Sequence, residues 1–183
     1  MGIPSPELRT WTRTIGDTVY TCSTDPSHVA IDALSDAFTS DMLWWAKALP
    51  SDVLATVVQN SLCFAIYTNN NKPTSTTTQN DGDKPPTAMI AFGRLITDYV
   101  TFGYLTDVYV LPEHQGKGLG RWMMACLDEV LNSWPHLRRC VLFTRGAQNV
   151  KLYEQTLGMN SVAESTGDGL VVMQCAGQGA IKR

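Results

Sequence analysis

Three features of the 183-residue sequence predict a mixed α/β domain. β-prone runs and helical periodicities follow one another in the order β-α-α-β-β-β-α-β-α-β-β. The length suits one folding unit, so residues 1–183 read as a single domain, and no internal repeat is visible. An apolar strand also runs directly into a glycine-rich turn that opens a long amphipathic helix.

The elements follow in chain order. Thr18 to Cys22 is β-prone. Asp25-Pro26-Ser27 turns the chain and places Ser27 as N-cap of a helix whose buried face is Val29, Ile31, Leu34, Ala37 and Phe38. A second helix is expected from Asp41 to Val58, with Pro50 breaking it or starting a new turn. Ser61 to Tyr67 reads as a strand. Asn69 to Pro86 is almost wholly polar and is expected to be a mobile loop insertion, far longer than the usual two to five residues of a hairpin loop. Strands resume at Thr87–Thr97 and Phe102–Leu111. Leu119, Trp122, Met123, Cys126, Leu127, Val130 and Leu131 then recur at helical spacing within Lys117 to Ser133. Arg139–Arg145 is a strand and Ala147–Leu157 a helix ended by Gly158. Two closing strands flank Thr166-Gly167-Asp168-Gly169, which has hairpin turn chemistry.

Composition narrows the function. Apolar residues make up 44% of the chain, enough for a core, so disorder throughout is excluded. A net charge of -3 disfavours a nucleic-acid partner. No run approaches the ~18 apolar residues of a membrane span, so no membrane partner is expected. The five cysteines, Cys22, Cys63, Cys126, Cys140 and Cys175, form no CxxC pair and sit in apolar runs. They read as free thiols of a reduced, cytoplasmic protein. His28, His114 and His136 lack metal-ligand spacing, so no metal is expected.

The segment richest in chemistry is Val108 to Arg121. The first N–H groups of a helix have no internal partners, and the helix dipole adds roughly half a positive charge there. Gly116, Gly118 and Gly120 lack Cβ atoms and let phosphate oxygens approach, while Lys117 and Arg121 add charge. A pyrophosphate fits. A P-loop does not, because Leu119 stands where the motif needs Lys after its last glycine. Nor does G-x-G-x-x-G, because Arg121 occupies the last glycine position.

Gln115-Gly116-Lys117-Gly118-Leu119-Gly120 is similar to the Q/R-x-x-G-x-G/A motif of the GNAT N-acetyltransferases. The stretch Asn149-Val150-Lys151-Leu152-Tyr153, followed by Gly158 and Met159, resembles the same family's N-x-x-x-x-Y-x-x-x-G-F helix, with Asn149 one position nearer the tyrosine. Ser61 to Phe64 and Asp98 to Leu105 look closest to a subgroup of small GNAT proteins with no defined substrate. The resemblance implies the GNAT fold: a central mixed, largely antiparallel sheet of six to seven strands with four helices, splayed between its fourth and fifth strands. It implies acetyl-CoA as cofactor and acetyl transfer to a primary amine of a small molecule by direct attack, through a tetrahedral intermediate. Main-chain groups of Val108, Tyr109 and Val110 would meet the pantetheine, and Gln115, Gly116, Lys117, Gly118, Leu119, Gly120 and Arg121 would hold the pyrophosphate. Asn149 would hydrogen-bond the cofactor and Tyr153 would protonate the departing thiolate; a phenol is neutral at pH 7 and suits that task.

The base stays open. Tyr104 and Thr106 occupy the positions where the family often has glutamate. Asp107 is adjacent but on regular alternation faces the other side of the strand; a bulge could re-aim it as the base, or it could instead bind the amine or pair with a basic residue in the core. Asp98, Glu113 and solvent are the other candidates. The acceptor pocket is expected near Trp44, Trp45, Tyr99 and Tyr104. A protein N-acetyltransferase and a non-catalytic CoA-binding module remain alternatives, and a homodimer is left open.

Overall fold

The computed structural model describes residues 8–43, 46–69, 87–164 and 167–180. Among them run strands β1 (Thr10–Ile15), β2 (Thr18–Ser23), β3 (Leu62–Asn69), β4 (Thr87–Thr97), β5 (Phe102–Val110), β6 (Arg139–Arg145), β7 (Asn160–Glu164) and β8 (Leu170–Ala176). The helices are α1 (Ile31–Thr39), α2 (Ser51–Gln59), α3 (Leu119–Asn132) and α4 (Ala147–Leu157). Of the expected insertion at 69–86, Asn69 ends β3 and the rest lies outside the described residues, as do Trp44 and Trp45.

Eight strands form one sheet in the order β1-β2-β3-β4-β5-β6-β8-β7, one strand more than the upper expectation. The addition is β1, which pairs with β2 from Thr10↔Ser23 to Ile15↔Thr18 around a turn where Gly16 takes φ 59°. It is held down by Trp11, which stacks on Phe64 at 6.2 Å and donates its indole N–H to Glu129 on α3 at 2.9 Å. Every strand pairing is antiparallel except β5–β6.

The sheet separates two cores. Leu119, Met123 and Leu127 of α3 and Tyr153 and Leu157 of α4 pack with Leu95, Leu105 and Leu142 on one face. Leu34 and Phe38 of α1 and Leu54 and Val58 of α2 pack with Cys63, Phe92 and Tyr109 on the other. Each fully buried Leu or Phe removes apolar surface worth roughly 1.5–3 kcal/mol, so both faces contribute.

Two helix starts differ from expectation. Ser27 caps nothing: Asp25 accepts from Ser27 N at 2.9 Å and from its hydroxyl at 2.6 Å, and closes a short 3-10 turn, Pro26–His28. The helix proper begins at Ile31 without a side-chain cap. The expected helix from Asp41 is a 3-10 turn, Asp41–Leu43, and the α-helix starts after Pro50, whose fixed φ suits a helix entry.

Candidate active site

β5 creates the site through two departures from a regular strand. Phe92 pairs with Tyr109 and Arg94 with Thr106, so Asp107 and Val108 together face the single Gly93. Asp107 takes the left-handed conformation, φ 54°, which Asp tolerates better than most residues. This β-bulge bends the strand and increases its twist. The pairing of β5 with β6 runs only from Phe102↔Arg139 to Leu105↔Leu142, whereas β5 continues to Val110. The two strands therefore part beyond Leu105, and main-chain groups of the 106–110 segment face the gap.

The gap opens into a cleft of about 1110 Å³. Its lining joins Tyr104 to Val110 of β5, the turn after it, Leu142 to Arg145 of β6, and one side of α4. The cleft passes through the sheet. Leu105, Leu142 and Tyr153 belong to the core under α3 and α4, while Tyr104, Thr106 and Phe143 alternate to the opposite face, where Met42 also reaches the lining.

The turn that follows β5 is set by backbone conformation. Gly116 has φ 75° and Gly118, the N-cap of α3, has φ 72°, both in the region that glycine enters without strain. A Cβ at either would meet nothing within 4 Å. Gly120 is different: it is helical, and a Cβ there would rest against Val110 at an ordinary 3.6 Å. The left-handed conformation is thus taken at two of the three glycines. Gln115 pins the turn by donating its side-chain N–H to the Val110 carbonyl at 2.9 Å. Arg121 is oriented by Gln155 of α4, at 2.9 Å. The Lys117 ammonium bonds the Glu113 carbonyl at 3.4 Å, and the residue does not line the cleft. The cations that do line the cleft there are Arg121 and Lys151.

The residues present fit a CoA pyrophosphate. No side chain caps the N-terminus of α3, so its first amides are open to an anion. His114 Nδ1 is buried at the same turn without a hydrogen-bond partner, and burial and nearby Lys117 hold the imidazole below its usual range.

On α4, Asn149 and Tyr153 both line the cleft. The Asn149 side chain donates to the Arg145 carbonyl at 2.9 Å, leaving its carboxamide oxygen and second N–H for a ligand. Tyr153 is buried, and desolvation pushes its hydroxyl up to about 12. It therefore carries its proton throughout the neutral range.

The base candidates are already engaged. Asp107 is buried, accepts from Arg94 Nε at 2.7 Å and from the Thr106 hydroxyl at 3.1 Å. Arg94 also reaches Ser61 at 3.2 Å. This is the core ion pair that the sequence left open. Asp98 caps the β4–β5 turn, accepting from the amides of Val100, Thr101 and Phe102 at 3.0, 2.7 and 3.1 Å. The Thr101 hydroxyl and those amides hold its carboxyl well below the usual carboxylate range. Glu113 sits on the outer turn, Pro112–His114, and does not line the cleft. Tyr99, at φ 61° in the β4–β5 turn, packs edge-on against Trp134 at 6.3 Å and does not line the cleft. Tyr104 does line the cleft, and with it Phe143, which the sequence reading missed. Only alternation within β6, with Leu142 inward, could have pointed to Phe143.

Comparison with known proteins gives concordant matches. Residues 35–159 match the family model of the acetyltransferase (GNAT) family. A Gibberella zeae protein named "Putative acetyltransferase" is 44% identical over 172 residues, covering 93% of this chain and 94% of that protein. A crystal structure from Xanthomonas campestris pv. campestris, described as a putative acetyltransferase of the GNAT family, is 30% identical, with a TM-score of 0.53 over 82% of this chain and 94% of that one. The spermidine N-acetyltransferase of Vibrio cholerae, solved with CoA and spermine, shares the fold at 15% identity, with a TM-score of 0.58 over 92% of this chain and 95% of that one.

Proposed function

The chain belongs to the GNAT acetyltransferase family, and from that premise we propose that this acetyl-CoA-dependent enzyme acetylates a primary amine of a small molecule. One observation carries the reading: the parted β5–β6 seam leads to the uncapped start of α3, with the buried Tyr153 hydroxyl beside it.

Bound acetyl-CoA supplies an activated acetyl thioester. The turn from Gln115 to Gly120 and Arg121 binds the pyrophosphate through main-chain amides and charge. The 106–110 segment would receive the pantetheine as an added strand would be received, and its amides would supply hydrogen bonds to the acetyl carbonyl. Asn149 orients the cofactor from α4. Tyr153 holds a proton and would supply it to the sulfur of bound CoA; a hydroxyl kept neutral by burial is suited to this donor role.

Asp107 is assigned a positioning role. Its ion pair with Arg94 holds the bulge in shape, and both carboxylate oxygens are engaged, one by Arg94 and the other by the Thr106 hydroxyl. The amine loses its proton to water in the open cleft. A test is to incubate the protein with acetyl-CoA and a panel of primary amines, following free thiol and acetylated amine together. One acetylated amine per thiol released is expected. Thiol release at the same slow rate with and without every amine would overturn the reading in favour of a CoA-binding module.

A further inference from the structure

The face of the sheet opposite α3 and α4 carries features that the cofactor does not use. α1 and α2 cover it over β3 and β4, but its continuation over β5, β6 and β8 is more open. There Phe143 is 52% exposed, although it lines the cleft. Its ring meets Tyr104 edge-on, at 5.6 Å between centroids and 89° between planes. The strand register explains the pair: Tyr104 lies beside Val141 across the parallel seam, so Phe143 sits two residues further along β6, on the same face. Met42 and Leu170 complete an apolar margin.

Charge at this opening is accounted for. Among the described lining residues Asp107 is the one carboxylate, and Arg94 neutralises it. Arg145 on β6 is ion-paired with Asp168 of the β7–β8 turn. A polyamine would bring a second and third ammonium to a wall whose described carboxylates, Asp107 and Asp168, are already paired with Arg94 and Arg145, and desolvating such charges is unfavourable. A flat apolar body would instead cover a half-exposed ring and extend an existing edge-to-face pair, an arrangement aromatic rings favour.

We propose, building on the acetyltransferase reading, that the acceptor is an arylalkylamine whose ring packs on Phe143 and Tyr104 while its amino group reaches the seam at the β5 bulge. Phe143 is then the specificity-determining residue. The acceptor enters from the face opposite the one that holds the cofactor phosphates, so the two ligands meet in the gap through the sheet.

The experiment compares 2-phenylethylamine, hexylamine and spermidine at saturating acetyl-CoA, with acetyl-CoA affinity measured separately by calorimetry. The expected order of kcat/KM is 2-phenylethylamine, then hexylamine, then spermidine. Phe143→Ala should raise KM for 2-phenylethylamine about tenfold and leave acetyl-CoA affinity within about twofold. Phe143→Leu keeps apolar volume without a ring, and should lose the preference for 2-phenylethylamine over hexylamine. Spermidine turned over as well as or better than 2-phenylethylamine, no amine turned over despite acetyl-CoA binding, or an unchanged KM in both variants would overturn the proposal while leaving the cofactor reading intact. Absence of acetyl-CoA binding would instead remove the acetyltransferase reading on which the proposal stands.

Discussion

The two openings of the cleft are built from different materials. On the α3 side, the site is built largely on backbone, with two left-handed glycines, uncapped helix amides and the main chain of a parted strand, and the side chains of Arg121, Lys151, Asn149 and Tyr153 beside them. On the opposite side it is made of side chains, Tyr104 and Phe143, contributed by two strands that are far apart in sequence. A backbone site suits a ligand part that never varies, such as a pyrophosphate. A side-chain wall can be changed residue by residue without disturbing the fold, which suits an acceptor that differs between enzymes. Between the two lies the Asp107 bulge, which shapes both.

The largest effect should come from that junction. Arg94→Met leaves Asp107 buried and unpaired, a change worth about 3–5 kcal/mol of stability. Denaturant unfolding would register it as a lower midpoint, and acetyl-CoA and amine kinetics should suffer together. An unaltered midpoint would mean that the ion pair does not hold the bulge.

Next comes Tyr153, the proposed proton donor. Tyr153→Phe should lower kcat about 100-fold, equivalent to about 2.7 kcal/mol, with acetyl-CoA affinity changed less than about twofold. Burial raises the folded-state pKa of this hydroxyl to about 12, above the unfolded value near 10. Below pH ~10 the group is neutral in both states, so its contribution to stability is fully present there and is lost as pH rises through 12. The kcat profile of the unaltered enzyme should accordingly show no descending limb from Tyr153 below about pH 10. Equal losses in kcat and cofactor affinity would break the assignment of acid chemistry to α4.

A smaller effect separates the glycines. Gly118→Val forces a β-branched residue to φ 72° and should weaken acetyl-CoA binding about tenfold, through roughly 1–2 kcal/mol of strain. Gly120→Ala places its methyl against Val110 at 3.6 Å and should leave affinity within about twofold. Calorimetry on both variants would sharpen the claim that conformation, more than mere absence of side chains, makes this side of the cleft. The smallest effect belongs to Asp98→Ala, which removes the cap of the β4–β5 turn far from the chemistry. It should lower the melting temperature slightly at pH 7 with kcat/KM unchanged. Because hydrogen bonds lower this carboxyl's pKa, the difference from the unaltered protein should shrink as the pH falls through its folded-state value.

The same contrast explains what could be read in the sequence. Left-handed turns require glycine and amphipathic helices require a period, so β6, the α3 entry and α4 were legible to within a residue or two. β1 carried a signal that was passed over: Thr10 to Ile15 is rich in β-formers, and Gly16-Asp17 closes a tight turn, but only Trp11 and Ile15 pack against the core. Lys117 and Arg121 are both basic and adjoin the same turn, and sequence alone gave no means of telling that only Arg121 faces the cleft. Alternation within β6 could place Phe143 on the open face, but not beside Tyr104, because that pair lies across a parallel pairing with no local trace in the chain.

The measurement that tests the account most directly is a calorimetric titration of the unaltered protein and Gly118→Val with acetyl-CoA, with no amine present. The account predicts one site per chain, with affinity in the micromolar range and about tenfold weaker in the variant. No heat of binding up to millimolar acetyl-CoA, or equal affinity in the two proteins, would contradict it.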